Sequence, residues 1–200
     1  MLIVRWVGAA VLAVLAVLAS ACSPESPAPS APPTSTEVRP DGVVELPPRP
    51  REVRLDGVNP CSLLTEGQRA RLGLDGRPVL SQAPVGLYPG GDVVACDIRG
   101  FEPRAVAAGI SLVTTVGVER FTSGDLAAEI RRTAIHGFPA VVAVPTRLTN
   151  YCTVIVDVAV GQLVDVQFRD GGRTPPIPQG QLCRDAEAVA ADVMMTLLDR

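Results

Sequence analysis

Five cysteines and a single histidine are the most reactive side chains this chain brings to chemistry, and one cysteine stands apart from the rest. Cys22 ends the stretch Leu18-Ala19-Ser20-Ala21-Cys22, which closes an uncharged run from Trp6 that follows one basic residue, Arg5. The apolar part, Val7 to Leu18, has the length of a secretory h-region and is short for a membrane span. Small residues leading into a cysteine are what lipoprotein signal peptidase cuts, leaving that cysteine diacylated, although Ala19 stands where Leu is usual. Cys22 is therefore the expected lipidation site and residues 1–21 the expected signal peptide. The alternative is an uncleaved anchor helix over Leu2 to Ala21. Either way the remaining chain works outside the cytoplasmic membrane.

The other four cysteines are Cys61, Cys96, Cys152 and Cys183. An even number in an exported chain reads as a disulfide framework. A metal site is the rival reading, but the four are widely separated and no C-x-x-C clamp exists, so no metal or other cofactor is expected. Four cysteines allow three connectivities. The expected pairs are Cys61–Cys183, at helix entries near either end of the domain, and Cys96–Cys152, both in strands.

His136 is the only imidazole, so Ser-His-Asp chemistry would have to use it. No G-x-S-x-G elbow surrounds Ser62, Ser81, Ser111 or Ser123. His136 precedes Gly137 at a strand entry, where a turn or surface role is the ordinary one. Phosphate-cradling glycine loops, dinucleotide fingerprints and zinc motifs are absent. No catalytic residue is expected.

The elements that must position these residues are legible in the periodicity. Lys is absent and all 18 basic residues are Arg; removing residues 1–21 takes away Arg5 and leaves 17 against 21 acidic side chains, or −4. A mildly acidic domain has no electrostatic reason to bind nucleic acid. Residues 22–58 hold nine of the 19 prolines and show no hydrophobic period, which predicts a disordered, solvated tether. A single α+β ectodomain is then expected over 59–200. Thr65-Glu66-Gly67-Gln68 matches a capping box opening a short helix through Leu72, ended by Gly73. The segments 77–83, 93–99, 105–116 and 138–144 read as strands between Gly, Pro and Asp turns, and 126–132 reads as a short helix.

The best-specified strand pair is 151–159 with 163–169, where valines alternate on both. A three-residue Val160-Gly161-Gln162 loop or a bulge would pair Val158 with Val164, Val156 with Val166 and Val154 with Phe168. That register sets Asp157 opposite Asp165, a weak candidate cation pair that solvent, an Arg from an adjoining strand or a bound cation would have to compensate. The last element is a helix from about 181 to 198, with Leu182, Ala186, Val189, Ala190, Val193, Met194 and Leu197 on one stripe. The fold class expected is α+β, an antiparallel sheet with two or three helices packed on one side and stapled by disulfides.

Several landmarks together resemble a known family: Asn59-Pro60-Cys61-Ser62-Leu63-Leu64-Thr65, the strand bearing Cys96, His136-Gly137-Phe138-Pro139-Ala140-Val141, Tyr151-Cys152-Thr153-Val154, and Leu182-Cys183. The chain resembles the actinobacterial lipoproteins that carry domain of unknown function 3558, departing at Ile98, where Trp is common in that family. The resemblance implies a lipid-anchored domain on the outer face of the cytoplasmic membrane of a high-GC Gram-positive envelope. It carries over no activity. Two classes of function are left: a non-enzymatic binding or interaction module contacting an envelope protein, a lipid or a small ligand, and an envelope hydrolase acting on cell-wall or lipid material. A deep cleft holding His136 or two close carboxylates would favour the hydrolase.

Overall fold

Alternating side chains on nearly every extended segment dictate a sheet with two faces to bury, and the structure, a computed structural model, forms one antiparallel sheet of seven strands. It describes residues 43–83, 88 and 93–200; the expected signal peptide, Cys22 and residues 23–42 lie outside the described residues. The strands are β1 (Val79–Gln82), β2 (Val94–Gly100), β3 (Val106–Val113), β4 (Ala128–Ile135), β5 (Phe138–Pro145), β6 (Tyr151–Ala159) and β7 (Gln162–Asp170), in the order β1-β2-β3-β7-β6-β5-β4. Two meanders, β1–β3 and β4–β7, are thus joined along β3 and β7.

One face is covered by helix. The stripe Leu182, Ala186, Val189, Ala190, Val193, Met194 and Leu197 of α3 (Gln179–Leu198) is buried against Val154, Val156, Val158, Val164, Val166 and Phe168. The short helix α1 (Glu66–Leu72) packs on the same side. Its capping box is present, with Thr65 accepting from the Gln68 amide and Gln68 answering, and Gly73 closes it at φ 75°. The buried Gln68 also donates from Nε2 to the Asp192 carbonyl, tying α1 to α3. The close packing of this corner needs a second glycine: a Cβ on Gly100 would lie 1.9 Å from the Gly73 carbonyl oxygen. The α+β architecture is therefore present, and of the two or three helices expected on one side α1 and α3 lie there.

The opposite face has a different cover. Residues 114–127, which carry the chain from β3 across to β4 and include the one-turn helix α2 (Glu119–Thr122), lay Val118 and Phe121 over Ile155, Leu163 and Val141. Val44 joins this second core, and its N–H donates to the Thr122 carbonyl.

Four expectations are corrected. The segment 126–132, read as a helix, is the start of edge strand β4: its Ile130 faces the second core while Ile135 faces the first, a period of two that a short isoleucine-poor window disguises. The β6–β7 register is slipped by two residues. Val156 pairs with Val164, Val154 with Val166 and Cys152 with Phe168, because a bulge at Val158 lets a two-residue Val160-Gly161 turn close the hairpin. Parity is kept, so the valines stay on the helix side, but Asp157 faces Leu163 and Asp165 faces Ile155 instead of each other.

The cysteine pairing is also different: the bonds are Cys61–Cys96 and Cys152–Cys183. Cys96 and Cys152 lie on strands separated by β3 and β7, roughly 14 Å apart at ordinary strand spacing and beyond disulfide reach. Each cysteine of the sheet instead meets the one on the element above it. Cys61, in the 3-10 turn Pro60–Ser62, sits over β2, and Cys183, five residues into α3, sits over β6.

Finally, residues 43–58 are not part of a free tether. Val44 and Leu55 are buried, the Val53 N–H donates to the Val158 carbonyl, and the Leu55 N–H donates to Gln162 Oε1. Arg49 Nη1 reaches both carboxylate oxygens of Asp157, at 2.7 and 2.6 Å. Proline density marked this segment as unable to bury itself; it packs because the turn end of the β6–β7 hairpin offers it partners.

Asp157 is 5% exposed, and burial raises its carboxyl pKa despite the adjacent guanidinium, with Glu119 and Glu52 adding to the rise. Arg49→Ala leaves that carboxyl without its counter-ion and is expected to cost about 2 kcal/mol, discounted because Arg49 itself is partly exposed. Urea denaturation checks this. Adding Asp157→Asn to the Arg49→Ala protein should restore part of the loss, and no change in either protein would contradict the docking role assigned to the pair.

Candidate functional site

A cavity of about 460 Å³ lies between the second face of the sheet and the crossing segment 114–127. Its floor mixes small and polar side chains of five neighbouring strands, among them Ala95, Gly109, Ser111 and Ala143. Ala95 pairs with Ser111, and Asp97 pairs with Gly109, which in turn pairs with Gln167. Thr153 continues that row to Ala143. A Cβ built on Gly109 meets only Asp97 Oδ1, at 3.6 Å, so the volume above this strand is open. Phe121, Leu126 and Ala128 wall the cavity on the side of the crossing segment.

One end is polar and partly open to solvent. Arg169 Nη2 donates to Asp97 Oδ1 at 3.1 Å, and Arg169 Nη1 donates to Gln167 Oε1 at 3.3 Å. Ser81 Oγ donates to the other oxygen, Asp97 Oδ2, at 2.6 Å. Both Asp97 oxygens are therefore engaged and its charge is met by Arg169.

The deep end holds Asp165, 5% exposed, which accepts from the Tyr88 hydroxyl through Oδ2. Tyr88 is itself buried, and its ring is tilted against Phe121 with centroids 6.3 Å apart. Burial pushes the Asp165 carboxyl up to about 6, the Tyr88 hydrogen bond opposing the rise. The Tyr88 phenol is raised well above its ordinary range, by burial first and by the Asp165 charge second.

The residues singled out in the sequence are dispersed. Asp165 lines the cavity, whereas Asp157 lies beside Arg49 at the docked segment 43–58. The compensation for Asp157 is an Arg, but one from the N-terminal segment and not from an adjoining strand; neither aspartate is solvent-exposed. Among the described residues no group of three His, Cys, Asp or Glu is placed to hold a metal ion. His136 occupies a tight β4–β5 turn with Gly137, at φ 49° and 81°, and its Nε2 lies 2.9 Å from the Ala191 carbonyl of α3, on the helix side of the sheet. It lines no part of the cavity. The four disulfide cysteines all face the helix side as well.

Tyr88, Asp97, Gly109, Phe121 and Arg169 were not recognisable beforehand as a site. The one signal available was the parity of β3, whose odd positions Gly109 and Ser111 are small while its even positions Ile110 and Leu112 are large. A sheet with a bulky and a stripped face leaves space on the stripped one.

The family described as protein of unknown function (DUF3558) matches residues 17–196 of the chain. Comparison with curated proteins and with solved structures finds no match.

The raised carboxyl of Asp165 has a measurable consequence. Between about pH 4 and 6 the folded state holds a proton that the unfolded state releases, so this group's contribution to stability is present in acid and lost as pH rises through about 6. Asn keeps an acceptor for Tyr88 and cannot ionise. On moving from pH 4 to pH 7, Asp165→Asn should gain stability relative to the parent by up to roughly 3 kcal/mol. Other shifted carboxyls, Asp157 upward and Asp170 downward, are common to both proteins and cancel in the difference. Denaturation of the two proteins at both pH values checks this; an unchanged difference would contradict it.

Proposed function

The chain belongs to the DUF3558 family of proteins of unknown function, and from that premise we propose that it is a lipid-anchored envelope protein whose folded domain binds a small, largely apolar molecule. The single observation that carries this reading is the cavity of about 460 Å³ over the second sheet face, with apolar walls at Phe121, Leu126 and Ala128 and a floor that mixes small and polar side chains. A space of that size and lining is ordinary for small-molecule sites. Its floor exists because Ala95, Gly109, Ser111 and Ala143 withhold the side chains that would fill it, a cost in packing that burial of larger residues would remove.

The location rests on Cys22 and the signal-like run before it, which would hold the domain on the outer face of the cytoplasmic membrane. Among the described residues no helix is long and apolar enough to cross a membrane. Partners on this reading are the membrane, through the N-terminal lipid, and the bound molecule. The acidic balance of the chain argues against nucleic acid.

A hydrolase would need a nucleophile or an activated water next to a general base. In the cavity Asp97 is consumed by Ser81 and Arg169, and His136 is on the other side of the sheet. Asp165 alone has the raised pKa of a general acid, with Tyr88 as its bonded neighbour and no base beside it. Binding is therefore the better-supported class.

Two experiments test the two halves. Gly109→Leu projects a side chain into open volume, so the variant is expected to fold with a melting temperature within a few degrees of the parent. Small apolar molecules that raise the melting temperature of the parent should not raise that of the variant, since stabilisation follows occupancy. Equal shifts in both proteins would place the binding elsewhere. For the anchor, intact-mass analysis of protein made in an actinobacterial host should find a diacylated chain starting at Cys22, and Cys22→Ala should keep residues 1–21. Parent protein retaining those residues would end the lipoprotein reading.

A further inference from the structure

The polar groups of the cavity are not equivalent, and their inequality points to one class of ligand. Asp97 accepts from Ser81 through Oδ2 and from Arg169 through Oδ1, so this pair is internally satisfied and its charges cancel. Gln167 is likewise engaged by Arg169. Asp165 is different. Its Oδ2 accepts from Tyr88, while Oδ1 accepts from no group among the described residues, although the side chain is buried and lines the cavity. Among the described residues no ion pair reaches it; Arg49 pairs with Asp157 and Arg169 with Asp97.

A buried carboxylate with an unused oxygen calls for a donor, and a charged donor gains most. The surroundings favour the same sign. Tyr88, bonded to Asp165, and Phe121, tilted against Tyr88, present two aromatic rings to this end of the cavity, and ring faces attract cations. A bare metal ion is a poor occupant, because among the described residues no group of three His, Cys, Asp or Glu is placed to hold one, and Leu126, Ala128 and Ala143 line much of the remaining wall. The cation must bring its own hydrocarbon.

We propose that the cavity is selective for small organic amines, the ammonium group donating to Asp165 Oδ1 beside the Tyr88 and Phe121 rings and the apolar body lying over Gly109 and Ala143. This rests on the reading of the cavity as a ligand site and adds the chemical class of the ligand.

The test is calorimetric titration of the full chain in detergent at pH 7.5 with three molecules of nearly equal shape: 2-phenylethylamine, 2-phenylethanol and phenylacetate. The amine should bind at least about tenfold more tightly than the alcohol, the advantage expected of a charged over a neutral hydrogen bond, and phenylacetate should not bind detectably. Asp165→Asn should bring the amine down to the alcohol while leaving the alcohol unchanged. Phe121→Leu, which keeps the carboxyl, should lower the amine's advantage without abolishing it. Equal binding of amine and alcohol by the parent, or an amine advantage that survives Asp165→Asn, overturns the amine proposal and leaves the cavity reading standing. Failure of all three molecules to bind, or binding that survives Gly109→Leu, overturns both.

Discussion

Everything in this fold answers one constraint: a seven-stranded open sheet exposes two faces, and the described residues include only one long amphipathic helix to cover them. The central strands β6 and β7 cannot tolerate solvent on either side, since Val154, Val156, Val164 and Val166 point one way and Ile155 and Leu163 the other. The helix α3 satisfies the first set. The second must be covered by irregular chain, and the segment 114–127 with Val44 and Tyr88 does so incompletely. The cavity is the remainder of that mismatch, enlarged by the small residues beneath it.

The two covers are secured by different physics. On the helix side each disulfide fastens a covering element to the strand under it, Cys61 to β2 and Cys183 to β6. In the chain-entropy picture, closing loops of 35 and 31 residues is worth roughly 4 kcal/mol apiece. The other side has no covalent link. It relies on the Arg49–Asp157 pair, the Tyr88–Asp165 hydrogen bond and a few backbone bonds. Electrostatic contacts of this kind respond to protonation, which a disulfide does not. The side of the molecule that carries the cavity is therefore also the side whose cohesion depends on pH.

How far this could be read from residues alone follows the range of the forces involved. Local devices were legible: the Thr65–Gln68 capping box, Gly73, the His136-Gly137 turn and the apolar stripe of α3 are written within one or two turns of chain. The fold class followed from them and from the alternation of valines. What could not be read was set by long-range pairing. The bulge at Val158 shifts the hairpin by two residues without disturbing its parity, so alternation cannot detect it. The disulfide partners depend on the order of strands, which places β3 and β7 between Cys96 and Cys152. Residues 43–58 look disordered because their partners, Asp157, Val158 and Gln162, lie more than a hundred positions away. The candidate site was invisible for a related reason: a cavity is made of omissions, and Gly109 gives no positive signal of the space above it. Asp165 was picked out, but for a cross-strand repulsion that the true register removes.

The docked segment also gives the domain a mechanical character. For a chain tethered at Cys22, tension would reach the described residues at Val43, ahead of both cross-links. Residues 43–58 are held by side-chain and single backbone bonds, and neither disulfide lies within them. Under load they would peel first, a segment of roughly 50 Å extended contour lying ahead of the Cys61–Cys96 staple. The covalent frame behind it, with α3 pinned to β6, stays intact. Such a domain yields at its leash like a clutch that slips, and the element given up, Val44 included, is part of the cover over the cavity.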